Sequence, residues 1–303
     1  MSGESYFLLE GCPVEGMPEF FASHLSESID DYPGGIVIPL DKPLRWTSAD
    51  LVRKVKFQLQ RQFRNKKLKV GHAGTLDPLA SGLLIVCVGK ATKIAEELQA
   101  HDKEYIATVE FGATTASFDL EQPISGFFPF EHITREALEE ALKGFIGEQE
   151  QVPPVFSAKI IGGLRAYEYA RAGEPVELRK SLIAIHSIDL LEWHEAGSAE
   201  GARADSAPKS DLDAVRNIHN YHVADTASDG SRPSATLRIR CSKGTYIRSL
   251  ARDLGLALGS GAYLTSLRRT ASGEFRVCFS RPYSTNSYKN LEYSKENRRC
   301  SHP

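Results

Sequence analysis

The chain has 303 residues, 41% of them hydrophobic and 25% charged. That balance suits a folded chain with its own core and excludes a low-complexity disordered one. No apolar run approaches the ~20 residues of a membrane span, and the first residues hold acids but lack the basic stretch of a signal peptide. Five scattered cysteines, Cys12, Cys87, Cys241, Cys278 and Cys300, form no CxxC pair. The odd count argues against a disulfide framework, the spacing argues against a cysteine zinc site, and a reducing, cytoplasmic setting is expected.

Residues 1–33 read as an acidic extension with little periodicity. Its seven acids (Glu4, Glu10, Glu15, Glu19, Glu27, Asp30, Asp31) meet no Lys or Arg, and removing them takes the net charge from −2 to about +5. A compact region is expected over 34–280, opening with a strand at Gly34–Ile38. Ser48 is a plausible N-cap for a helix with Leu51, Val55, Leu59 and Phe63 at four-residue spacing. Around that stripe, Leu51–His72 holds Arg53, Lys54, Lys56, Arg61, Arg64, Lys66, Lys67 and Lys69 and no acid. Such a run attracts polyanions by counterion release; the plain alternative is a solvated helix face.

Leu83–Val88 reads as a buried strand, and Tyr105–Phe111 alternates, with Tyr105, Ala107, Val109 and Phe111 on one face. Thr134 opens a helix, Leu182–Leu191 and Leu237–Cys241 are strands, and Tyr246–Leu258 is a helix that Gly259 ends. Strands and helices mix without strict βαβ alternation. The expected class is α+β, with a mixed, largely antiparallel central sheet and flanking helices. Residues 194–235 read as a low-complexity insertion between two strands, and 281–303 as a polar tail. His219 and His222 have ligand-like spacing inside that insertion, but an accidental pair explains them, so no metal site is expected.

The segment Val70–Leu84 stands out. Gly71, Gly74 and Gly82 free its backbone for tight turns or close approach, and His72 and Asp77 are its titratable side chains. Taken alone, Asp77-Pro78 is a good N-cap and N1 pair, and His72 could satisfy a buried carbonyl.

Four blocks change that reading. Asp41-Lys42-Pro43-Leu44-Arg45-Trp46-Thr47-Ser48, Gly71 to Gly82, Gln151 to Lys159 with Arg165 to Glu168, and Cys241 to Arg248 occur in this order. Together they resemble the bacterial tRNA pseudouridine-55 synthases, the TruB family, over roughly residues 34–275. One block would be weak; four in family order are specific.

The resemblance implies a pseudouridine synthase fold and an isomerase that converts uridine 55 in the tRNA T-loop to pseudouridine. The N1–C1′ bond breaks, the uracil rotates and C5 bonds to C1′, with no cofactor and no metal. By analogy Asp77 is the catalytic carboxylate, attacking the ribose or the base or assisting deprotonation at C2′, and Arg248 is its partner. Tyr105 is expected to stack on the target base and is a candidate for handling the C5 proton. Tyr246 is a second pocket aromatic, and the target nucleotide must be flipped out of its stack. Lys42, His72 and Lys243 are expected at the substrate: Lys42 at the pocket floor or in a structural ion pair, His72 against RNA. Arg64, Lys66, Lys67 and Lys69 are expected on phosphates, which position RNA without reading sequence. The partner implied is the T-arm of tRNA, with no membrane and no obligate protein partner.

The departures are specific. Arg45 stands where the first block usually has Gly. Ala113–Asp119 replaces an Arg-Thr-Asp-Thr-like run, although Asp119 still matches the later family aspartate. The sequence after Arg269 is too short for the PUA-type C-terminal domain of many relatives. Two other classes remain: a tRNA-binding protein that retains the scaffold without catalysis, and a carboxylate-dependent nucleosidase, which ordinarily needs a second carboxylate.

Overall fold

The structure is a computed structural model and describes residues 6–157, 159–172, 178–197 and 230–277. The described chain opens with Phe7–Leu8 (β1) and Met17–His24 (α1), followed by Ile36–Lys42 (β2) and Ser48–Gln62 (α2). Val70–His72 (β3) and Ala80–Val88 (β4) flank the glycine-rich turn, and Ala95–Ala100 (α3) leads into Lys103–Phe111 (β5). Ala113–Thr115 (β6) and Ile124–Phe127 (β7) form a hairpin before Arg135–Lys143 (α4) and Gly147–Gln151 (β8). A second hairpin, Ile160–Ile161 (β9) with Leu164–Arg165 (β10), runs into Ala166–Ala172 (α5). Ser181–His194 (β11), Ser234–Cys241 (β12), Ile247–Ala257 (α6), Ala262–Ser272 (β13) and Phe275–Arg276 (β14) follow.

Ten strands share one sheet along the path β1-β2-β4-β13-β5-β12-β11-β8, with β3 beside β4 and β14 beside β13. β1 with β2 and β4 with β13 pair in parallel, and the remaining neighbours are antiparallel. This is the mixed, largely antiparallel α+β sheet that the patterning predicts. β4 is almost wholly buried, so its apolar run is continuous; β5 alternates over its first half because one face meets the helices.

Three helices lie where their stripes predict. α2 buries Leu51, Val55 and Leu59, α4 is capped by Thr134, and α6 buries Ile247, Leu250, Ala251 and Leu254. The α2 cap differs from expectation. Thr47, not Ser48, is the N-cap, and it forms a capping box: its Oγ1 accepts from Asp50 N (3.0 Å) while its own N–H donates to Asp50 Oδ2 (3.0 Å). That frees the Ser48 hydroxyl for another task, described below.

The acidic N-terminal segment also departs from its sequence reading. Leu9, Cys12, Met17, Phe21 and Leu25 are buried in the main core, β1 adds a strand beside β2, and α1 packs on α2. Its apolar positions are spread over a strand, a loop and a two-turn helix, so no single period reveals them. At the other interruption, β11 and β12 stay paired to His194↔Ser234, so residues 195–233 connect adjacent antiparallel strands. His219, His222 and the 281–303 tail lie outside the described residues.

Phe21 is 1% exposed. Phe21→Ala is expected to lower unfolding free energy by about 3–5 kcal/mol, read from urea denaturation. A loss below ~1 kcal/mol would show that the segment does not share the core.

Candidate active site

The site is built on one turn. Residues 73–79 link β3 to β4, and no helix follows Asp77-Pro78, so the N-cap reading of that pair is set aside: the Asp77 carbonyl instead accepts from Ala80 N (3.1 Å). Three distant elements hold this turn. From β13, the buried Arg269 donates from Nε to Leu83 O (2.7 Å) and from Nη2 to Gly74 O (3.1 Å). From α2, Ser48 Oγ donates to Leu76 O and accepts from Leu76 N, both at 2.9 Å. From the loop before α2, Arg45 N donates to Pro78 O (2.8 Å).

Gly82 makes the β13 contact possible. It lies opposite Arg269 in the parallel pairing with φ +100°, and a Cβ there would sit 2.2 Å from Arg269 O. The same Arg269 lies opposite Tyr105 in the antiparallel β13–β5 register. One buried guanidinium therefore ties the strand carrying Tyr105 to the turn carrying Asp77.

Asp77 projects from this clamped backbone with its side chain 38% exposed, and its Oδ2 lies 2.7 Å from Arg248 Nη2. Arg248 is the reverse of an exposed helix arginine: its side chain is 4% exposed. Behind it stand Asp119 Oδ2, 3.6 Å from Nε, and the Ser117 carbonyl, 3.3 Å from Nη1. Burial pulls the Arg248 pKa down, but Asp77 and then Asp119 outweigh it and raise it, so the cation is permanent. Burial raises the Asp119 carboxyl, against the opposing pull of Arg248 and the Ser117 hydroxyl, which donates at 2.5 Å. Glu121 N also donates to Asp119 (2.9 Å).

The two phenols lie within the field of Asp77. Tyr105 is buried on β5; burial pushes its phenol up and the Arg269 guanidinium opposes this. Tyr246 is half-buried at the start of α6, and burial raises it too. Its backbone N–H is taken by Gln151 Oε1 (2.9 Å), so Gln151 caps the helix beside Arg248. Lys42 has no exposed surface; its Nζ donates to Trp46 O (2.6 Å) and Pro43 O (2.9 Å). It therefore staples the Pro43–Trp46 turn from beneath. Burial lowers its pKa to about 7, and the Asp77 charge opposes that shift.

The remaining expected residues are spread around this centre. His72 ends β3, half-buried, and Lys243 is exposed ahead of α6. Arg64, Lys66, Lys67 and Lys69 are exposed at and beyond the end of α2. Lys56, Lys66, Lys67 and Lys69 line a cavity of about 390 Å³ closed by Leu68, Val70, Gly71 and Thr92. A second cavity, of about 560 Å³, lies between α1 and α2. Asp77, its side chain 38% exposed, lines neither.

Sequence reasoning missed Arg269, Ser48 as a loop clamp, and Asp119 as the second partner of Arg248. A strand arginine flanked by polar residues gives no sign of burial, and a serine before a helix reads first as a cap. The family match carried Asp119 without a role.

Comparison with known proteins places the sequence in a family. The model described as TruB family pseudouridylate synthase (N terminal domain) matches residues 60–206, and that of the tRNA pseudouridylate synthase B C-terminal domain matches 248–288. A protein of Phocaeicola vulgatus named tRNA pseudouridine synthase B is 49% identical over 80% of this chain and 88% of its own length.

The chain belongs to the TruB family of pseudouridylate synthases. A Flavobacterium johnsoniae relative of the same name is 42% identical, covering 82% of this chain and 93% of that one. These TruB relatives are isomerases acting on tRNA. A chain in a structure of an H/ACA RNP bound to a substrate RNA containing 2′-deoxyuridine is 26% identical with TM-score 0.48, covering 80% of this chain and 49% of that one. Among the described residues no helix is long and apolar enough to cross a membrane.

The buried amines of this TruB chain give a pH signature. Lys42 at about 7 and Lys103 at about 8, both lowered chiefly by burial, lose their protons in the folded state while the unfolded chain keeps them. Between pH 7 and 9 the unfolded chain thus binds more protons, and stability rises with pH, by on the order of 3 kcal/mol. Above pH 9 the thiols of Cys12, pushed up to about 12 by burial, and of Cys87 and Cys241, pushed up to about 11, act oppositely and together outweigh the two amines, because the unfolded chain loses those protons first. Thermal melts should therefore peak near pH 9, with a shallower rise in Lys42→Met; a flat or falling profile from pH 7 contradicts the burial of these ammonium groups.

Proposed function

We propose that this chain isomerises uridine 55 in the T-loop of tRNA to pseudouridine, using Asp77 as the catalytic carboxylate. The observation that carries the reading is the pairing of a half-exposed Asp77 with a buried, doubly partnered Arg248 on a turn clamped from three sides. The relatives' shared name supplies the tRNA substrate.

The arrangement suits the chemistry. A flipped uridine brings C1′ and the base to the exposed side of Asp77, with Tyr105 and Tyr246 as the aromatic residues of the site. Scission of N1–C1′ leaves cationic character on the sugar, which a carboxylate stabilises electrostatically or by a transient bond. The uracil turns, C5 bonds to C1′, and the C5 proton is lost while N1 gains one, so the product is an isomer. Arg248 holds the carboxylate in one orientation throughout, which lowers the entropic cost of reaching the reactive geometry. Tyr105, held neutral by burial, is a poor base at neutral pH, which favours a stacking role over proton transfer.

The exposed cations Arg64, Lys66, Lys67 and Lys69 supply phosphate contacts, and the lysine-lined cavity gives one point of convergence. Lys243 and His72 contact RNA nearer the turn. Specificity rests on the folded shape of the T-loop.

Mass-spectrometric mapping of pseudouridine in tRNA treated with the protein tests the reading directly. Modification at position 55 is expected; free uracil as product would identify a nucleosidase instead. Asp77→Asn should lower conversion by at least about a thousandfold while tRNA binding stays within severalfold; retained turnover would refute the catalytic assignment. Reversing charge at Lys66, Lys67 and Lys69 together should raise KM about tenfold or more and flatten its salt dependence; an unchanged salt slope would place the RNA elsewhere.

A further inference from the structure

Arg45 occupies a position whose backbone asks for glycine. Trp46 N donates to Pro43 O (3.4 Å), so Pro43–Trp46 is a four-residue turn with Arg45 at its third position and φ +67°. Positive φ at that place is the mark of a type II turn, where Gly is the ordinary choice. An L-residue with a long side chain is strained there.

Among the described residues nothing uses that side chain. Arg45 is exposed, and among the described residues no acid pairs with it. The nearest acids in sequence are engaged: Asp41 with Arg268 (2.6 Å), and Asp50 with Arg53 (2.8 Å) and the Thr47 cap. The backbone of Arg45, however, is part of the site. Its N–H holds Pro78 O, one residue beyond Asp77.

We infer that Arg45 binds a backbone phosphate of the RNA strand that carries the target nucleotide, an inference that rests on the proposed role of Asp77. Strain is retained where a function requires the side chain, and an unpaired guanidinium one peptide from the catalytic turn can take a phosphodiester bidentately. The neighbouring cations extend the path. Lys54 Nζ lies 5.3 Å from the ring centroid of Trp46, the residue after Arg45. Arg61 stands seven residues further along α2 and so on the same side of the helix. A strand leaving Asp77 past Arg45 continues along Lys54 and Arg61 toward the cavity between α1 and α2, which Arg61 lines.

Arg45→Gly separates this role from a structural one, because glycine suits the turn and keeps the N–H to Pro78. The variant is expected to melt no lower than the parent, to raise KM for tRNA roughly five- to tenfold, to keep kcat at saturating tRNA within about twofold, and to lower the salt slope of binding by about one. Arg45→Lys should recover most of the affinity, and Arg45→Ala, which keeps the strain but not the charge, should behave as the glycine variant in KM. An Arg45→Gly protein with parental KM and salt slope overturns the inference, as does one that loses kcat with KM unchanged. Measuring tRNA binding of the same variants in the Asp77→Asn background keeps the two readings apart. A parent protein that makes no pseudouridine defeats the proposed function, while the binding arm still decides Arg45.

Discussion

A buried guanidinium is tolerable only where carboxylates and carbonyls replace its water, and Arg248 imposes that demand on everything around it. Asp119, oriented by the Ser117 hydroxyl and Glu121 N–H, meets it from the inside; Asp77 meets it from the outside. The outer carboxylate is the one left partly in water. A single cation thus fixes the direction of the group that would face the sugar and supplies a permanent counter-charge to it, without a proton that can be lost near neutral pH. The rest of the fold can be read as bringing α6, the β6–β7 hairpin segment and the β3–β4 turn to that one guanidinium.

Much of this is legible in the sequence, and for physical reasons. Apolar periodicity located α2, α4, α6 and the central strands, because each has one face against the sheet or two against neighbours. The glycines of Val70–Leu84 announced a backbone under unusual demands, and Gly82 shows what the demand was: β4 and β13 come too close for a Cβ. Asp77 and Arg248 were legible through the blocks that contain them, since neither charge nor spacing distinguishes Arg248 from the nearby Arg252. The acidic N-terminal segment was not legible, because its buried residues are distributed over three short local structures while its charges face outward.

The illegible parts of the site share a cause. Ser48 to Leu76 spans 28 residues and Arg269 to Gly74 spans 195, and both contacts run to backbone atoms. A side chain that binds a carbonyl or an amide leaves no complementary side chain in the sequence to pair it with. Clamps of this kind emerge only when the strands are in register, here with Arg269 opposite both Gly82 and Tyr105.

That pattern of clamps bears on how the turn functions. A glycine-rich segment free in solution would have to be ordered when RNA binds, and the entropy of each residue fixed would subtract from affinity. Here the backbone of residues 74, 76 and 78 is already hydrogen-bonded to β13, α2 and the Pro43–Trp46 turn. The ordering cost falls on folding, where the large sheet and its core offset it. Gly82 therefore provides close approach of strands rather than looseness, and the half-exposed Asp77 side chain is the part of the turn left to respond to substrate. Preorganisation of this kind places the carboxylate before the nucleotide arrives, which is what electrostatic stabilisation of a developing sugar cation requires.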